Sequence, residues 1–130
     1  MSLLLDTSAV IYLMERKNPE IARLITLHNR DVVASIVTKG ELIRGTHSVA
    51  RPEIAHATLD GFNRVCTWLP IDPAVATWGV LASKLRRSVG ANDLWIIATA
   101  MTGNHLLVTG DHRMAKIAAD WNYPHELVSV

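Results

Sequence analysis

Short apolar runs alternate along the chain with longer stretches in which apolar residues recur every third or fourth position. That alternation predicts a parallel sheet covered by helices. The predicted strands are Leu3–Leu5, Val32–Ile36, Val65–Leu69, Leu106–Val108 and Leu127–Val130, and the predicted helices Ala9–Arg16, Pro19–His28, Lys39–Ser48, Glu53–Asn63, Pro73–Val89, Asp93–Thr102 and Arg113–Asp120. Within Pro73–Val89, the residues Val75, Trp78, Leu81, Ala82 and Leu85 share one stripe, with Lys84 and Arg87 on the other side. Such a stripe is packing surface. Pro and Gly stand singly between elements, and no repeat or low-complexity segment interrupts them.

At 130 residues and 49% hydrophobic composition, residues 1–130 suit a single α/β domain with a sizeable core. Lys plus Arg number 13 against 12 Asp plus Glu, so overall charge attracts no nucleic acid and a local site must do so. The lone Cys66, in "RVCTW", excludes a disulfide scaffold and reads as a small core residue of a protein in a reducing compartment. The apolar "LLL" has no basic segment before it, and Asp6 arrives too early for a signal-peptide core or a membrane span. The expectation is a cytoplasmic protein without a membrane partner.

The acids fall in a pattern. Asp6 follows the first strand in "LLLDTSAV", Glu41 comes just after the second, and Asp111 follows the fourth in "LLVTGDHRM". In a parallel sheet these strand ends lie along one edge. Asp93, in "GANDLWIIATA", opens a helix that leads back into the fourth strand, so it starts at that same edge. Each acid alone also has a structural explanation. Asp6 and Asp111 suit helix caps, "TKGE" over Thr38–Glu41 fits a capping box, and Asn92 and Asp93 suit a helix start. Asp72, in "IDPAV", reads as a cap before Pro73 and is left out of the site. Four converging carboxylates, however, repel one another unless cations lie between them. Hard, oxygen-ligated Mg²⁺ or Mn²⁺ fits such a set. Zinc does not, since the six His residues show no paired ligand spacing and Cys66 has no cysteine partner; His112 reads as a surface residue.

Taken in order, "LLLDTSAV", Glu41 in "TKGELIRG", Asp93 in "GANDLWIIATA" and Asp111 in "LLVTGDHRM" resemble the four acidic signatures of PIN-domain ribonucleases. The short length and the run "LASKLRRSVGAND" resemble the VapC-like toxins of bacterial toxin–antitoxin pairs in particular. The resemblance spans essentially the whole chain. It departs at Ser8, where many relatives carry Asn, and at Met114, where many carry an aromatic. It implies a PIN-like fold with a five-stranded parallel sheet in the order 3-2-1-4-5, flanked by helices. That order makes strands 2, 1 and 4 neighbours and puts Asp72 at the border.

The four acids and the resemblance together imply a toxin that is an endoribonuclease dependent on Mg²⁺, for which Mn²⁺ substitutes. Asp6, Asp93 and Asp111 would hold one or two ions, and Glu41 would complete the site or orient the attacking water. Thr7, Asn92 and Thr109 flank these acids and are candidates to orient them. Arg44, Arg86, Arg87 and Arg113 are candidates to hold RNA phosphates. Trp78 and Trp95 sit within apolar helical stripes, where packing explains them better than base stacking.

The resemblance further implies a homodimer, silenced by a VapB-like antitoxin whose C-terminal segment lies across the acidic site. No basic DNA-binding segment is present, so operator binding would belong to the antitoxin. Val10, Ile11, Leu13 and Met14 would either form the receiving groove or lie in the core. Two rival classes fall behind for want of residues they need, and one alternative remains. A receiver-type phosphoacceptor domain needs an acidic pair at the first strand and a Lys after the last. A haloacid dehalogenase-type phosphatase needs a second Asp where Ser8 stands. A catalytically silent PIN-like binding module needs neither.

Overall fold

Five apolar runs form one parallel sheet in the computed structural model, which describes residues 2–15, 19–28, 31–85 and 89–129. The strands β1 (Leu3–Leu5), β2 (Val32–Ser35), β3 (Cys66–Leu69), β4 (Leu106–Thr109) and β5 (His125–Leu127) lie in the order β3-β2-β1-β4-β5. This is the order the resemblance implies. Leu4 of the central β1 is in register with Val33 on one side and Leu107 on the other. Side chains alternate between faces along a strand, and β1 is apolar throughout because both of its faces are covered. Leu3 and Leu5 enter one core with Val10, Ile21, Leu59 and Phe62. Leu4 enters the other, with Leu81, Ile96, Ile97, Met114 and Ile117.

The helices are α1 (Thr7–Met14), α2 (Pro19–His28), α3 (Ile36–Thr46), α4 (Pro52–Asn63), α5 (Val75–Lys84), α6 (Ala91–Thr102) and α7 (His112–Asp120). Trp78 of α5 and Trp95 of α6 stack at 4.9 Å between ring centroids, a packing contact between the two helices. Among the described residues, no helix is long and apolar enough to cross a membrane. Cys66 is buried and free, and burial pushes its thiol up to about 12, as suits an inert core residue.

Most element ends differ from the sequence pattern by one to three residues, and at four elements a local reason is visible. The second strand ends at Ser35 rather than Ile36, because the Ser35 hydroxyl accepts from the Val37 N–H at 3.1 Å and starts α3 there. The expected capping box over Thr38–Glu41 therefore does not form, and Thr38 is fully buried inside the helix. The expected helix over Pro73–Val89 divides into a 3-10 turn at Asp72–Ala74 and α5, which ends at Lys84 as Leu85 turns extended. Ile71, not Asp72, occupies the cap position of that turn. Val65 is still in the turn after α4, where its N–H donates to the Phe62 carbonyl at 3.0 Å, so the third strand begins at Cys66. The last strand lies two residues earlier than Leu127–Val130. Asn122 turns the chain at φ 52° after α7, and the Tyr123 hydroxyl shares its one proton between the Ala100 carbonyl, at 2.7 Å, and that of His105. That anchor starts β5 at His125.

Candidate active site

Asp6 is the residue at which β1 becomes α1, and it is only 3% exposed. One carboxylate oxygen accepts from the Ala9 N–H at 2.9 Å and from the Ser8 hydroxyl at 2.7 Å; the other accepts from the Thr109 hydroxyl. Burial pushes its carboxyl above the ordinary range, opposed by the bonds from Thr109, Ala9 and Ser8 and reinforced by the charge of Asp93.

Two hydroxyls tie this corner to the end of β4. Thr109 donates to Asp6 and accepts from the Asp111 N–H at 2.9 Å. Ser8 donates to Asp6 and accepts from the Gly110 N–H at 2.9 Å. Gly110 lies so close to Tyr12 that a Cβ there would meet the ring at 2.2 Å, which is why glycine is required. Asp111 caps α7 through the Arg113 N–H at 2.8 Å, and the Arg113 side chain approaches the same oxygen at 3.9 Å.

Glu41 stands in the second turn of α3 and accepts from the Thr7 hydroxyl at 2.6 Å. Thr7 has one proton to give, so the 3.1 Å contact between Thr7 and Thr38 runs with Thr38 as donor. Asp93 lies in the first turn of α6 and is half-buried. Burial, then the charges of Asp111 and Glu41, push its carboxyl up, and Arg113 pulls it down. Asp93 is thus the common neighbour: it feels Asp111 and Glu41, and Asp6 feels it.

The structure therefore brings the four expected acids into one electrostatic cluster, with Thr7 and Thr109 bonded to two of them. Asn92 is exposed and shares with Glu41, Arg44, Val37 and Gly40 a cleft of ≈ 240 Å³, without a hydrogen bond to an acid among the described residues. Arg113 lines a second cleft of ≈ 190 Å³ with Asp93, Gly90 and Met114. Arg86 and Arg87 lie outside the described residues. His112 is exposed, as expected. Val10 is wholly buried and belongs to the core; Ile11 and Met14 instead line a groove of ≈ 260 Å³ with Thr7, Glu41, Leu42 and Leu59. Leu13 and Met14 line a neighbouring groove of ≈ 550 Å³. The sequence reading missed Ser8, treated only as a departure, and Thr38, treated as a cap. Their signal was a hydroxyl two residues from Asp6 and another three from Glu41, whose meaning is visible only once the strands are side by side.

The cluster suits a divalent cation. Its donors are carboxylate oxygens, the set hard ions prefer, and like charge raises Asp93 in a way a bound cation relieves. Among the described residues, no three His, Cys, Asp or Glu side chains are already placed to share one ion. Mg²⁺ does not require that, since it is held by one or two carboxylates and keeps several waters.

Comparison with known proteins gives the same direction. A family model described as the PIN domain matches residues 3–120. Ribonuclease VapC1 of Haemophilus influenzae (strain R2866) is 32% identical over 112 residues, covering 82% of this chain and 84% of that protein. The structure of VapBC-1 from nontypeable Haemophilus influenzae superposes with a TM-score of 0.83 at 28% identity, covering 98% of each chain. VapBC-5 from Mycobacterium tuberculosis, a member of the VapBC family of toxin–antitoxin systems, superposes at 0.70 with 30% identity over 100% of both chains. With the strand order, the four acidic motifs and these likenesses agreeing, the chain belongs to the PIN-domain family, in its VapC branch.

Proposed function

We propose that this chain is the toxin of a toxin–antitoxin pair and an endoribonuclease that hydrolyses RNA phosphodiester bonds with Mg²⁺, for which Mn²⁺ substitutes. The observation that carries the reading is the convergence on Asp93, half-buried and raised by burial and by the charges of Asp111 and Glu41, and itself raising Asp6, in a VapC-branch PIN domain. Asp6, Asp93 and Asp111 would hold the ion or ions, directly or through water. A divalent ion bound there lowers the pKa of an attacking water and offsets charge on the phosphate. Glu41, fixed through one oxygen by Thr7, would orient that water with the other. Thr109 and Ser8 hold Asp6 and the Asp111 backbone in one geometry. Arg113 and Arg44, in the two clefts beside the acids, take the flanking phosphates. No covalent intermediate is needed.

Residues 1–130 would act as one domain in the cytoplasm, as a homodimer. The two VapBC likenesses support a VapB-like antitoxin as partner. The groove of Ile11, Met14, Leu42 and Leu59 runs up to Glu41, so a chain lying in it would reach the acids. The test is cleavage of total cellular RNA by the purified protein. Cutting with Mg²⁺ that stops in chelator supports the reading; cutting that continues in chelator sinks it.

A further inference from the structure

Gly40 is a glycine in the middle of α3, one residue before Glu41. Glycine in a helix interior weakens the helix relative to alanine. Three causes commonly keep it there: a positive φ, a neighbour too close for a Cβ, or a ligand that must approach the backbone. No described glycine has a positive φ, and a Cβ built at Gly40 meets no protein atom within 4 Å. The first two causes are absent.

Gly40 lies in the ≈ 240 Å³ cleft beside Glu41, where the remaining lining residues are Val37, Arg44 and Asn92. Val37 is four residues before Glu41 and Arg44 three after, so both share its face of α3. Asn92 comes from the opposite wall, at the start of α6. Gly45, Gly61 and Gly79 also leave room for a Cβ, but Gly79 lines neither cleft beside the acids and the grooves of the other two contain neither arginine nor asparagine. The cleft of Gly40 combines an open backbone floor, a guanidinium for phosphate and an amide that both donates and accepts.

We propose that this cleft receives one unpaired nucleotide of RNA next to the bond that is cut, its base lying over the bare backbone of Gly40. The inference rests on the ribonuclease reading. Arg44 holds the phosphate of that nucleotide, and the Asn92 amide meets the base edge, which a duplex would conceal. The cleft thereby biases which nucleotide stands beside the cleavage point.

The test compares the full chain with Gly40→Ala and Asn92→Ala on short single-stranded RNA with Mn²⁺, alongside thermal unfolding and sequencing of the cleaved ends. Gly40→Ala should unfold at the same or a higher temperature, yet raise KM about tenfold as the added methyl takes the place of the base against the backbone. Its kcat should change less than its KM, and Asn92→Ala should alter the nucleotide found at the cleaved ends. A wild-type protein that cuts RNA while Gly40→Ala matches its KM overturns this inference and leaves the ribonuclease reading standing. A fall in unfolding temperature for Gly40→Ala also overturns it, since the glycine would then serve the fold. RNA left intact by the wild-type protein overturns both.

Discussion

The two halves of the acid cluster are built differently. Asp6 and Asp111 each accept a backbone N–H at the start of a helix, and the Thr109 hydroxyl bridges from one to the backbone of the other. Asp93 stands in the first turn of α6 without a side-chain cap bond there, and among the described residues Glu41 is held by a side-chain hydroxyl alone. The first half is part of the fold's own hydrogen bonding. The second is held in place by α3 and α6 but does little for them, and its acids line the open clefts. On the proposed reading, structural and chemical roles coincide in Asp6 and Asp111 and separate in Asp93, which makes the halves distinguishable by experiment.

The largest contrast is expected between Asp6→Asn and Asp93→Asn. Both should lower RNA cleavage at least about a hundredfold, the loss of a few kcal/mol of metal-supplied stabilisation. Unfolding should separate them. Asp6→Asn presents an amide N–H₂ to hydroxyl donors in a buried corner and should cost about 1–3 kcal/mol. Asp93→Asn removes repulsion from Asp111 and Glu41 at a half-exposed group, so metal-free stability should stay within about 0.5 kcal/mol of wild type. Equal destabilisation of the two variants would break the comparison.

Thr109→Val is expected to come next. It leaves one Asp6 oxygen and the Asp111 N–H without a bond, for about 1–3 kcal/mol, and should weaken cleavage with it. Thr7→Val, on the other half, should affect cleavage more than unfolding, which urea titration and initial rates together can check. The smallest effect belongs to the arginines. Arg44→Ala and Arg113→Ala should leave unfolding unchanged, weaken RNA binding and each reduce the salt slope of binding by about 0.7. An unchanged slope would remove them from the RNA path.

Much of this was legible in the sequence, for physical reasons that also explain the gaps. Leu3–Leu5 announces a strand covered on both faces, and acids placed just after such runs in a parallel sheet must share an edge. The convergence of the four acids follows from that, whereas the strand order is what the family resemblance implies. Local competition was less legible. Ser35 and Thr38 are both good cap residues, and only the burial of Thr38 against Thr7 decides that Ser35 starts α3. β5 is set by the Tyr123 anchor on the α6–β4 connection, a contact that no apolar period reveals. Ser8 was read as a missing Asn, whereas its hydroxyl serves both Asp6 and Gly110. Hydroxyls that bridge two motifs about a hundred residues apart leave no local pattern.

The central claim is that Asp93 joins the other acids in one divalent-cation site without serving the fold. Calorimetric titration of Mn²⁺ into the metal-free wild-type chain and into Asp93→Asn tests it most directly. The account predicts saturable binding of one or two ions by the wild-type chain and a loss of most of that affinity in a variant that remains fully folded. Binding of equal strength by both proteins, or none by the wild-type chain, would contradict it.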